Sequence, residues 1–554
     1  MGLTKPIEQN IIKLSRYIYV SKDIIRGRGI MIEPQKIKVK ITELSYLCFV
    51  AVMLFAKGIG LYDGLLLYKL FLVAGLGLVA VKMCVTEHTL KEWIVMILIC
   101  LWVAFLYLNC KEKGIVICTL VILAMKDVSL DKVFRIGMWV WGITMCGNIV
   151  YHLINLDASG FKVHEKLGLG HIFRWDLGFS HPNVLHISYL VLSAFVIYNL
   201  GEKYNWKYML ILMFGNIYIF LYSVSYTGII VTTLYLGVAW YVVIRKKLNR
   251  VEYVLMGLVY PICILMSFVS ALFLPENFFE IVNKIFSNRL ILAKHYLIPE
   301  YIRLMGNNLE QITSNTYTLD NAYLFCFIIY GVIFFGAILV AYLLLIHKFI
   351  NMKRNKELAI IICFLIAGIT EPFLFNTSFK NLTLFFLGDF LWENWKQNNR
   401  KQGGFVIFSK LPREYEIDVT KLYILKENLF SVWKNKWRKV LLLSGIVAVL
   451  AGTVWGINQK MPKGYIVPRV HATIEEAEKN LWCMENPEDS QYDGIKILGY
   501  VDDKTYMYFF EGNIVAMEQV RRSVSNVFIL WILMSGIYMF SIAYKEQRKK
   551  EKYE

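Results

Sequence analysis

In the stretch FRWDLGFSHPNVL, which begins at Phe173, Arg174, Asp176, His181 and Asn183 stand together at the mouth of an apolar run. Charges at the edge of hydrocarbon are costly and are usually paired or functional. An arginine presents a planar fork of donors that suits phosphate. The same residues also fit an Arg174–Asp176 surface pair followed by a helix that Pro182 opens. A second set, Arg289, Lys294 and His295, lies in a long segment with helical apolar spacing. Lys294 and His295 suit lipid headgroups as well as a substrate, and Arg289 is the better candidate for an anion. Asp320 and Asn321 precede another apolar run. Both residue types cap helices, and a carboxylate there can also accept a proton. Glu371 and Pro372 fall inside an apolar span. An acid in that setting needs a partner or a raised pKa, so a kinked helix turning Glu371 towards a polar cavity is expected.

The motifs that would point to other chemistry are missing. No carboxylate pair is spaced to hold a divalent metal with a nucleotide sugar, and no Walker loop, GxSxG or HExxH occurs. The ten cysteines form no CxxC pair. No cofactor and no metal are therefore expected, and any group transfer has to start from a donor that arrives already activated.

The elements that position these residues follow from composition. Of the 554 residues, 57% are hydrophobic and 18% charged. A soluble fold could not hide that much apolar surface, whereas each bilayer-spanning helix needs roughly 20 such residues. The expected fold is an all-α polytopic membrane protein. Apolar spans fall near 43–61, 65–82, 92–109, 114–125, 133–154, 184–200, 208–222, 227–244, 252–274, 322–346, 358–375 and 378–393, with two more near 439–457 and 523–543. That gives about 12 transmembrane helices plus a C-terminal two-helix module. Four regions result: a tail 1–40, a membrane domain 41–395, a linker 396–438 and a module 439–554 whose segment 458–522 forms a small external domain. The tail is long and basic, unlike a cleavable signal peptide. It reads as an amphipathic helix on the inner membrane surface or as a mobile basic tail.

Net charge is +18. In a membrane protein this excess belongs to cytoplasmic loops rather than to nucleic acid, and no nucleic-acid partner is expected. Placing the basic N-terminal tail in the cytoplasm and alternating puts RKKLNR (245–250), HKFINMKRNK (347–356) and KEQRKKEK (545–552) on the same side. Lys111 and Lys113 are the exceptions. Segments 155–183, 275–321 and 458–522 then face outward, with both termini inside and the polar clusters outside.

RWDLGFSHPN resembles the R-x-x-LGF-x-HPN signature of bacterial O-antigen and capsule polysaccharide polymerases, the Wzy family. SYTG at 225–228, NRLILAKHYL at 288–297 and LDNAYLFCFIIYGVIFFG at 319–336 are similar to its later motifs, and the resemblance covers roughly 40–395. Tyr226 stands where the family pattern has an arginine, and Asp320 where the related O-antigen ligases often have histidine. The resemblance implies polymerisation of oligosaccharide repeat units carried on a polyprenyl pyrophosphate, at the outer face of a bacterial plasma membrane. Arg174 and Arg289 would neutralise the leaving pyrophosphate, and His181 would position substrate or transfer a proton. Asp320 would be the base, with Glu371 the weaker candidate. Asn183, Lys294, His295, Asn321 and Glu371 would line the substrate site. Implied partners are the lipid-linked oligosaccharide, membrane lipids, a flippase and other assembly proteins. REYEIDVTKLYILKENLFSVWKNKWRKVLLLSGIVAVLAG, from Arg413, is similar to the entry of Wzz-type chain-length regulators, so the module would set polymer length or serve as an anchor. A ligase acting on another acceptor and a lipid-linked oligosaccharide flippase remain the alternatives.

Overall fold

The computed structural model describes residues 36–155, 159–166, 170–245, 247–285, 289–312, 318–398, 404–408, 414–418, 420–458, 464–468, 495–502, 505–510 and 513–551. The N-terminal amphipathic tail and most of the loop 458–522 lie outside these residues.

The chain is all-α and crosses a membrane many times: among the described residues, ten helices are long and apolar enough to span a bilayer. After a short strand β1 (Lys36–Lys40) come α1 (Ile41–Gly58), α2 (Leu66–Val85), α3 (Leu90–Cys110), α4 (Gly114–Leu123) and α5 (Leu130–Ile154). A hairpin, β2 (Phe161–Lys166) and β3 (Gly170–Trp175), leads to α6 (Pro182–Leu200), α7 (Trp206–Ser223), α8 (Tyr226–Arg245) and α9 (Arg250–Phe273). Two shorter helices, α10 (Glu276–Ile285) and α11 (Arg289–Tyr296), precede α12 (Ala322–Ile329), α13 (Val332–Met352), α14 (Asn355–Ala367) and α15 (Thr383–Asn398). Strand β4 (Glu414–Asp418), helix α16 (Thr420–Asn458), strands β5 (Gly464–Pro468), β6 (Ile495–Asp502) and β7 (Thr505–Phe510), and helix α17 (Asn513–Glu551) complete the order.

Two compact units result. One joins Glu414–Asn458 with Ser523–Glu554, and the other comprises Lys40–Arg413 with Gln459–Arg522. In the first, α16 and α17 pack at small residues. Gly452 and Gly456, a GxxxG pair, face Val527 and Ser523 so closely that a Cβ would overlap them. Ser444 and Ser535 share a hydrogen bond at 2.7 Å, and Trp531 Nε1 donates to the Leu441 carbonyl at 3.0 Å. The helix expected from 439 begins at Thr420.

In the larger unit, outer helices reverse the soluble pattern. On α3, Ile94, Leu98, Leu101, Phe105 and Leu108 are all exposed while Met96, Val103 and Leu106 are buried. An exposed face that is itself apolar is a lipid-facing one. α3 starts with a capping box, in which Thr89 accepts from the Glu92 N–H and Glu92 from the Thr89 N–H. At the centre lie α6, α12, α14 and an irregular segment through 371–382. Phe373, Leu374, Phe375, Phe379, Lys380, Asn381 and Leu382 are all buried there. Non-helical backbone at membrane depth is tolerated when it is enclosed by protein.

Two local expectations are corrected and one unanticipated element is found. The span 322–346 is two helices, divided at Gly331, whose φ is +90°. Asn307 causes the break by drawing off the last carbonyls of α12: its side-chain amide donates to Ile328 O at 2.8 Å and its N–H to Ile329 O at 3.1 Å. The span 358–375 is not a kinked helix, because α14 ends at Ala367 and Glu371 is extended (φ −141°, ψ 132°) ahead of Pro372. The segment 155–183 contains a two-stranded antiparallel hairpin that pairs Lys162 with Arg174.

A polar chain at the ends of the central helices

Strand β3 carries Arg174, which is buried at 3% exposure. Its Nε donates to the carbonyl of Ser223, at the C-terminal end of α7, at 2.8 Å, and its Nη2 donates to Asn183 Oδ1. Asn183 sits in the first turn of α6 and donates from Nδ2 to Glu371 Oε1 at 2.8 Å. The same oxygen accepts from Arg289 Nη2 at 2.9 Å. Arg289 opens α11, and its Nε lies 3.7 Å from Asp320 Oδ2. One continuous path therefore runs Ser223–Arg174–Asn183–Glu371–Arg289–Asp320. It brings together five of the residues singled out from the sequence, from five separate segments.

The two acids differ. The Glu371 side chain is 9% exposed and shared, whereas that of Asp320 is 38% exposed and only loosely paired. The arginines keep spare donors. Arg289 Nε is buried without a hydrogen-bond partner, and Arg174 uses Nε and Nη2 within the protein. Burial pushes the Arg174 guanidinium down to about 10; the negative charge of Glu371 opposes this and the positive charge of Arg289 adds to it. It stays cationic at neutral pH. A small cleft lined by Arg289, Asp320, Asn321, Met266, Leu319 and Leu324 lies beside this end of the path, so charged and apolar side chains both contribute to it. Among the described residues, no group of three His, Cys, Asp or Glu side chains is placed to hold a metal.

The other expected residues have different places. Asp176 does not pair with Arg174; its Oδ1 accepts from the N–H of Gly160 and Gly178 at 3.1 and 3.0 Å, closing the turn after β3. Burial raises its carboxyl to about 6 against those two donors. His181 is the N-cap of α6, its Nδ1 accepting from the Asn183 N–H at 3.1 Å. Asn321 is fully engaged. Its Oδ1 caps α12 through the N–H of Tyr323 and Leu324, and its Nδ2 donates to Ser267 Oγ at 2.9 Å and Ile369 O at 2.8 Å. It ties α9 and α12 to the segment that presents Glu371. Lys294 is exposed and stands over the Phe279 ring, and His295 lies against Tyr296 and Tyr301.

Two residues behind the site are absent from the sequence reading. His186 is fully buried, with Nδ1 2.9 Å from Ser223 Oγ and Nε2 2.7 Å from Asn216 Oδ1. It fixes the end of α7 that receives Arg174. Lys380 is buried and donates to the Val184 carbonyl, next to Asn183, at 3.2 Å. Its signal was a lone lysine in the apolar run beginning at 378. Gly228, the glycine of SYTG, lies where a Cβ would overlap the His186 imidazole. Gly228→Ala should therefore destabilise the protein by about 1–3 kcal/mol, the usual effect of overpacking, and lower the unfolding midpoint in detergent. An unchanged midpoint would show that α8 does not pack here.

No protein-family model, curated protein or solved structure matches the chain.

Proposed function

We propose that the chain is a polysaccharide polymerase of the outer plasma-membrane face, joining repeat units carried on polyprenyl pyrophosphate. The observation that carries this reading is the placement of two arginines along one path, the buried Arg174 and the half-buried Arg289, joined through Asn183 and the Glu371 carboxylate, each with donors left over. A departing diphosphate is stabilised by fixed cations aimed at the charge that develops. In the step, an acceptor hydroxyl oxygen bonds to the anomeric carbon of the growing glycan. The bond from that carbon to the diphosphate oxygen breaks, and the electron pair leaves with the diphosphate. Arg289 and Arg174 receive that charge. Asp320, the partly exposed acid beside Arg289, takes the hydroxyl proton, and Glu371 offsets the positive charge of the two guanidinium groups.

Helix geometry supports an outward-facing site. Tyr226 opens α8 beside Ser223, and Arg245 of the RKKLNR cluster ends it. A helix of 20 residues separates its ends by about 30 Å, and basic clusters favour the cytoplasmic side. The C-terminal module is assigned to length control on its resemblance alone.

Reconstitution of the full chain in vesicles with a lipid-pyrophosphate-linked oligosaccharide tests the reading. A ladder of products is expected. A single transfer to another acceptor would make it a ligase, and lipid movement without transfer a flippase.

A further inference from the structure

The strand that carries Arg174 is held from a second direction, by residues far away in the chain. Trp175 Nε1 donates to Glu518 Oε2 at 2.9 Å. Arg521 Nη1 donates to the Phe173 carbonyl at 3.3 Å, and the Arg521 carbonyl accepts from the Tyr222 hydroxyl at 2.8 Å. Arg521 and Glu518 also pair with each other. Both side chains are almost wholly buried, at 2% and 1% exposure.

What they grip is specific. Phe173 and Trp175 flank Arg174, and Tyr222 precedes Ser223, whose carbonyl receives Arg174 Nε. Successive residues of a strand point to opposite faces, so Phe173 and Trp175 project away from the Arg174 side. The Glu518–Arg521 pair thus fixes both the strand that presents the guanidinium and the helix end that holds it. Such a pair is a poor source of stability, because desolvating two charges offsets most of their attraction and well-packed apolar side chains often do better. Its geometric precision is what apolar packing would not supply.

We propose that Glu518 and Arg521 are positioning residues for Arg174, setting the aim of its free donors and so its binding of the substrate diphosphate. Helix α17, which carries both, continues unbroken to Glu551. Removing 439–554 would take this grip away together with the helices, so point substitutions are the appropriate test. The effect on transfer rests on the polymerase reading; the effect on the strand does not.

The test uses the full chain with Arg521→Met, Arg521→Lys, Glu518→Gln and Trp175→Phe, the last deleting only the indole N–H donor. Hydrogen exchange is followed in a peptide covering 170–178, alongside kcat/KM for the lipid-linked oligosaccharide. Arg521→Met and Glu518→Gln are expected to speed exchange in that peptide at least about tenfold, as local opening becomes easier. They should lower kcat/KM by about tenfold, the scale of one charged hydrogen bond. Arg521→Lys should recover most of both losses. In an Arg174→Ala background, Arg521→Met should change kcat/KM by less than about twofold, because residues acting through one another are not additive. Unaltered exchange in a folded Arg521→Met protein, or an undiminished effect of that substitution without Arg174, would overturn the proposal. Should Arg521→Met and Glu518→Gln not fold, Trp175→Phe decides by the same two criteria. If wild-type protein transfers no glycan, the polymerase reading falls and the exchange data alone judge the positioning.

Discussion

Arg289→Ala will abolish the product ladder while leaving a folded protein. Arg289 contributes the more accessible guanidinium, half-buried where Arg174 is buried, and lies on the wall of the cleft. Losing one preorganised donor to a developing negative charge typically costs about 100- to 1,000-fold in rate. Single-turnover transfer from a lipid-linked oligosaccharide should slow by that amount per folded protein; the midpoint should also fall, because Glu371 is left buried without its arginine. Arg289→Lys should restore only a part, since a point charge on a flexible stem does not reproduce the fork. Transfer at the wild-type rate in Arg289→Ala would remove the arginine from the chemistry and leave the reaction assignment without its main support.

Glu371→Ala should act mainly on stability. The carboxylate is buried and shared between Arg289 and Asn183, and through Asn183 it faces Arg174. Taking it away leaves two guanidinium groups without their common counter-charge. Breaking a buried pair in this way costs about 3–5 kcal/mol. Asp320→Ala is the matched control. Its pairing with Arg289 is long, at 3.7 Å, and its side chain is partly exposed, a setting in which an ion pair contributes about 0–1 kcal/mol. Thermal unfolding in detergent should therefore separate the two variants clearly, with Glu371→Ala much the less stable. Asp320→Ala should fold well and lose transfer. Equal loss of stability would mean that the acids play equivalent parts and that Asp320 is not the free proton acceptor.

The membrane class and most helix positions were legible because each depends on local composition. The run expected at 184–200 is the helix Pro182–Leu200, and that at 252–274 is Arg250–Phe273. The polar residues of the site were legible for a related reason: Arg174, Asn183, Arg289, Asp320 and Glu371 stand out against apolar surroundings. Their partners were not. One of the two Arg174 acceptors is a backbone carbonyl at Ser223, and a carbonyl has no residue type to betray it. The hairpin holding Arg174 was not anticipated, because the five residues HIFRW show no clear period of two.

What the sequence by itself determined is a chain of membrane-spanning helices with a few charged residues whose burial in hydrocarbon had to be compensated. Tertiary structure alone decided how. An eight-residue apolar helix such as α12 looks like the start of a span whether lipid or protein surrounds it, and only packing encloses it. Likewise Glu518 and Trp175 are separated by 343 positions, a distance at which local periodicity carries no information. Which acid would be buried between an arginine and an asparagine, and which would be left partly open to solvent, follows from how distant segments meet, because the cost of an unpaired charge is set by its surroundings and not by its neighbours in sequence.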